Sequence, residues 1–60
     1  GAYDVRARRV SCRTARRLAR TYYETRETGR WSCEERRLDL EDWKVRCTRG
    51  DAVVRFGYGA

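Results

Sequence analysis

The side chains able to do chemistry in this sequence are three cysteines, a large set of arginines and a cluster of acids, with no histidine among them. Lacking an imidazole, the chain is without the commonest acid or base near neutral pH, and no two cysteines stand at redox spacing. Three cysteines also fall one ligand short of a structural zinc site. Glu34, Glu35, Asp39, Glu41 and Asp42 lie close in sequence, but their spacing matches no calcium loop. A strand would turn Glu34 and Glu35 to opposite faces, so they could not act as a close catalytic pair. Solvated or arginine-paired carboxylates are the expectation, with no enzyme activity, metal or other cofactor.

The arginines carry the stronger signal. Fourteen of the fifteen basic side chains are arginine, and the net charge is +6. That bias suits planar donors that grip phosphate or carboxylate, although a GC-rich genome produces it equally. The charge is uneven: residues 1–20 carry a net +6, residues 21–42 a net −3 and residues 43–60 a net +3. Arg6, Arg8, Arg9, Arg13, Arg16, Arg17 and Arg20 are the candidate anion-binding residues. Arg49-Gly50-Asp51 is the tripeptide read by integrin-type receptors, but glycine and aspartate are ordinary turn formers and the match is read as chance.

The elements that would position these groups follow from periodicity. Ser11 can cap a helix in which Cys12, Ala15, Leu18 or Ala19, and Tyr22 draw one apolar stripe. Arg13, Arg16, Arg17 and Arg20 then form a ridge on the far side, and Gly29 is the expected left-handed residue that ends the helix. Before it, Tyr3, Val5 and Ala7 alternate with Asp4, Arg6 and Arg8 as in a half-buried strand, a candidate for a sheet edge. After it, three runs read as a meander: Trp31 and Cys33, then Trp43, Val45 and Cys47, then Val54, Phe56 and Tyr58 each share a face. Leu38 to Asp42 forms the first connection, with Leu38 and Leu40 expected to fold back over the core. Gly50 and Asp51 form a tight turn. The fold class is therefore α+β, one helix on a three- or four-stranded antiparallel sheet in the order β-α-β-β-β, as a single domain over residues 1–60.

Leu, Ile, Val and Phe number only nine among sixty residues, so aromatic side chains and cysteine must complete the core. Val5, Val10, Ala15, Leu18, Tyr22, Trp31, Trp43, Val45, Val54 and Phe56 are the expected core. A chain this short buries only roughly 60 per cent of its extended surface, and a crosslink is expected to help hold it. Centring the first hairpin near Leu40 sets Cys33 opposite Cys47, which makes them the expected disulfide. Cys12 is expected to be a small buried hydrophobe. Its other readings are a disulfide to Cys33, to Cys47 or to a second copy of the chain, or a thiol activated by the first helical turn. The density of cysteine points to an oxidising compartment, and to a secreted or envelope-facing domain whose signal segment has been removed.

Val10-Ser11-Cys12 with Ala15, then Trp31-Ser32-Cys33, Val45-Arg46-Cys47-Thr48 and Val54-Arg55-Phe56 resemble small secreted actinobacterial cysteine-containing domains. The resemblance implies export, an α+β fold with Cys33 joined to Cys47, and no catalytic residues. The expected function is an exported binding module whose arginine-rich helix face engages an anionic polymer, an acidic lipid surface or an acidic protein. Two alternatives remain: a nucleic-acid-binding module with Tyr23 or Trp31 as a stacking platform, and a structural protein that forms a homodimer through Cys12.

Overall fold

The computed structural model describes residues 2–59 and divides them into β1 (Ala2–Arg8), α1 (Cys12–Thr25), β2 (Ser32–Asp39), β3 (Asp42–Arg49) and β4 (Ala52–Gly59). The four strands form one antiparallel sheet in the order β1-β4-β3-β2, so the sheet has four strands and β1 lies at an edge.

Ser11 starts the helix from an extended conformation, and its Oγ accepts the Thr14 amide at 3.1 Å. That bond satisfies one of the first-turn donors that have no partner within a helix. Ala15, Leu18, Ala19 and Tyr22 are buried at spacings of three and four, and the two alanines let α1 lie closely on the sheet above β1. The left-handed residue that ends the helix comes three positions before the predicted glycine. Arg26 takes the left-handed conformation at φ 66°, and its amide reaches the carbonyls of Thr21 and Tyr22. A non-glycine residue there costs about 1–2 kcal/mol. The position returns the Arg26 side chain onto Tyr22 and Tyr58, which offsets that strain. Gly29, also at positive φ, serves the loop that leads into β2.

The meander forms with Cys33 directly opposite Cys47, their Cα atoms 4.0 Å apart and their sulfurs bonded. Gly50 and Asp51 make a two-residue turn between the paired Arg49 and Ala52, with positive φ at Gly50. This is a common way for glycine to match the twist of a hairpin. At the other hairpin, Leu40 and Glu41 turn the chain between the paired Asp39 and Asp42. Leu38 and Leu40 do not fold over the core, and remain 52% and 78% exposed. Paired strands run almost to the turn, and Arg37 hydrogen-bonds the carbonyls of Asp39 and Leu40, leaving no slack for a returning loop.

The alternation expected in β1 breaks once. Asp4 adopts φ 53° where the register with β4 shifts, so Tyr3 pairs with Gly57 while Val5 and Ala7 keep to the helix side. Tyr3 thus lies on the opposite face of the sheet from Val5. Gly57 receives it: a Cβ there would lie 2.6 Å from the Tyr3 ring.

The core joins Ala15, Leu18, Ala19 and Tyr22 to Val45, Cys47, Val54, Phe56 and Tyr58. Val5, Val10, Trp31 and Trp43, expected within it, are only half-buried and pack around its margin, because the single helix is too narrow to roof four strands. Cys12 is exposed, not buried, since the first helical turn projects beyond the packed stripe.

A disulfide closing a loop of this length contributes about 3 kcal/mol. Urea unfolding of the oxidised and reduced protein should show a loss of that order on reduction. Gly59→Ala should destabilise the fold by about 1–3 kcal/mol, because its Cβ would collide with the Glu41 carbonyl oxygen.

Candidate anion-binding faces

Val45, Cys47, Val54, Phe56 and Tyr58 face the helix, so the residues alternating with them point to a side of the sheet that no element among the described residues covers. Three rows cross this open face. Arg6, Arg55, Arg46 and Glu34 stand opposite one another on β1, β4, β3 and β2 in turn. To one side lie Tyr3, Gly57, Lys44 and Arg36, and to the other Arg8, Val53, Thr48 and Ser32. Three directly opposed pairs therefore carry like charge: Arg6 with Arg55, Arg55 with Arg46, and Lys44 with Arg36. Such pairs are unfavourable in a sheet.

Little of this charge is neutralised. Arg6 pairs with Asp4 at 3.2 Å, both exposed. Among the described residues Arg8, Arg36, Lys44, Arg46 and Arg55 form no ion pair. Arg6, Arg8, Arg46 and Arg55 line a concavity of about 250 Å³ together with Ala7 and Val53, with no carboxylate of the described residues in its wall, while a larger one of about 610 Å³ that shares Arg6, Arg46 and Arg55 also takes in Asp4, Glu34 and Glu35. Among the described residues the one aromatic ring on the open face, Tyr3, is 41% exposed but already engaged. Its hydroxyl donates to Asp42 and the Lys44 ammonium lies 5.0 Å from its centroid. The bond to Asp42 is the leading cause that holds the Tyr3 phenol above its ordinary pKa.

The seven arginines expected to form one surface fall into two groups and a junction. Arg6 and Arg8 belong to the open sheet face. Arg13, Arg16, Arg17 and Arg20 are exposed on α1, whose packed stripe turns them away from the sheet. Arg9 sits between, at φ 60°, with its guanidinium 3.8 Å from the Asp51 carboxylate. Arg36, Lys44, Arg46 and Arg55 were not among the sequence candidates. Their outward positions in the strand alternation were the available signal, but the register that gathers them was not.

A second constellation lies on the helix side. Glu35 Oε1 accepts the hydroxyls of Tyr22 and Tyr58, each at 2.6 Å, and pairs with Arg26. Arg26 also donates to the Tyr58 hydroxyl at 3.0 Å, and its guanidinium lies 4.7 Å from the Tyr22 ring centroid and 5.1 Å from that of Tyr58. Trp43 stacks on Tyr58 with planes 7° apart. The two tyrosine hydrogen bonds, joined by Arg26, hold the Glu35 carboxyl below its usual range. Burial and the Glu35 bond push Tyr22 up to about 12, and the same causes raise Tyr58. Each group keeps its ordinary charge state at neutral pH, so the cluster clasps the helix end to the sheet.

Among the described residues no three acidic or cysteine side chains converge to hold a metal. The Arg49-Gly50-Asp51 tripeptide forms the β3–β4 turn, with Arg49 over Trp31 at 4.7 Å. Comparison of the chain with protein-family models, with curated proteins and with solved structures finds no match.

The folded state binds the Tyr22 proton more tightly than the unfolded chain, whose ordinary value is 10.0. Its contribution is complete below that value and disappears as pH rises through about 12. The lowered Glu35 pKa has the opposite sense, with stability lost as pH falls through its depressed value. Alkaline titration followed by tyrosinate absorbance and circular dichroism should show unfolding coincident with late tyrosine ionisation. Glu35→Ala should reduce stability by about 1–3 kcal/mol, since it strands two hydroxyls and a guanidinium, and should abolish that coincidence.

Proposed function

We propose that this domain is an exported, non-enzymatic binding module that holds a linear polymer bearing repeated phosphate or sulfate groups on the open face of its sheet. The observation that carries the reading is the run Arg6, Arg55, Arg46, in which Arg55 has a like charge directly opposite it on both neighbouring strands. Left alone the row opposes sheet formation, and a polyanion lying across it removes the repulsion while accepting paired hydrogen bonds from planar guanidinium groups. Neighbouring strands lie about 4.8 Å apart, which sets the three arginines at intervals their long side chains can adjust to a polymer repeat. The carboxylate-free concavity beside Arg8 supports an oxyanion ligand in particular. The Cys33–Cys47 bond supports a secreted or envelope location, where such bonds persist.

The alternative of a single-stranded nucleic acid is less well supported. Such binders use successive aromatic platforms beside their charge, and among the described residues the open face offers only Tyr3, whose ring and hydroxyl are already engaged.

The test joins affinity to stability. Arg46→Gln with Arg55→Gln should weaken binding to heparin and to long-chain polyphosphate roughly tenfold or more at low salt, and flatten the salt dependence. The same variant without ligand should be as stable as the parent or more stable by about 0.2–1 kcal/mol per relieved pair. Unchanged affinity overturns the reading. Tighter binding of single-stranded DNA than of polyphosphate, lost in Tyr3→Ala, replaces the polymer with nucleic acid.

A further inference from the structure

We infer that the domain has two polyanion-binding faces on opposite sides and that one molecule bridges two polymer chains; the inference rests on the proposed sheet-face function and extends it. The second face is the outer side of α1. At about 100° per residue, Arg13, Arg16, Arg17 and Arg20 fall within one arc of roughly 100°, nearly opposite the stripe of Ala15, Leu18, Ala19 and Tyr22. They cover about 10 Å of helix length at about 1.5 Å per residue.

This ridge carries its own unrelieved repulsion, independent of the sheet. Arg13 with Arg17 and Arg16 with Arg20 are like charges at i,i+4, and Arg13 with Arg16 and Arg17 with Arg20 at i,i+3, spacings at which like charges destabilise a helix. No acid stands in the first turn, where the helix dipole favours negative charge and where Arg13 stands instead. Glu24 approaches only Arg20, at 3.8 Å and well exposed. An anionic chain along the ridge would relieve all four contacts and supply the missing negative charge at the helix start.

The two faces are separate. The open-face side chains and the helix ridge point in opposite directions through a body whose shorter extents are 18 and 17 Å. A polymer passing from one face to the other around the helix C-terminus meets Glu24, Glu27 and the acids of the β2–β3 hairpin. Around the other end Arg9 stands between the faces with the exposed Asp51 carboxylate 3.8 Å from its guanidinium, so a chain crossing there brings its own negative charge against Asp51. Each face is therefore better served by a chain of its own, and a single domain becomes a crosslink.

The experiment uses Cys12→Ser protein, so that a disulfide-linked dimer cannot mimic bridging. Calorimetric titration with a heparin octasaccharide should saturate at two per domain in the parent, and at one in either Arg46→Gln/Arg55→Gln or Arg13→Gln/Arg17→Gln. Those variants lose equal charge, so a nonspecific effect of net charge would act on both alike. With long-chain heparin, light scattering should rise steeply on adding the parent and fall near baseline for each variant, although the helix variant still binds. A single octasaccharide per parent molecule, lost only in the sheet variant, overturns the inference and leaves the sheet-face function standing. Full crosslinking by the helix variant overturns it as well. Binding unaffected by the sheet variant overturns the proposed function itself.

Discussion

Cys33 and Cys47 face each other across β2 and β3, and their bond decides on which side of the sheet every neighbouring residue falls. Side chains in a strand alternate, so a slip of one residue would exchange the two faces of β2. With the register held, Glu35 and Arg37 meet the helix side while Glu34 and Arg36 meet the open side. The choice passes through β3 to β4, where Val54 and Phe56 are buried and Arg55 is left between them. A core with so few aliphatic residues would specify this parity weakly. The covalent bond at the middle of the meander does so without needing more of them.

The same bond explains how a small chain tolerates its charge. Repulsion acts along the arginine row of the sheet and along the helix ridge, and the apolar core between them is only one helix wide. The Glu35 cluster stabilises the fold at the point where the helix reaches across the sheet. One carboxylate there gathers two hydroxyls and a guanidinium, and two tyrosine rings flank the cation. Trp43 and Arg37 extend this packing towards the exposed hairpin, where no helix covers the strands.

Local features were readable from the residues themselves. Ser11 as a cap, the stripe from Ala15 to Tyr22, the meander and the Cys33–Cys47 pairing all follow from periodicity and spacing. What escaped depends on contacts between distant segments. Tyr3 changes faces because Gly57 leaves room for its ring and Asp42 takes its hydroxyl, and neither is near it in sequence. Arg26 ends the helix ahead of Gly29 because Tyr58 and Glu35 reward its side chain. The open-face arginines were visible as outward positions on their separate strands, but only the β1–β4 register, formed between the two ends of the chain, sets Arg6 beside Arg55. The two leucines of the β2–β3 hairpin misled because apolar character alone does not reveal how tightly the backbone turns.

The left-handed backbone at Arg26 places two incompatible demands on one codon. Its dihedral angles are those glycine adopts most easily, while its guanidinium organises Glu35, Tyr22 and Tyr58. Glycine would ease the turn and empty the cluster; lysine would keep a cation but forfeit the planar fork that touches carboxylate and hydroxyl together. No single replacement satisfies both, so any substitution at this position exchanges relief of the backbone against loss of the fork that joins Glu35 to Tyr58.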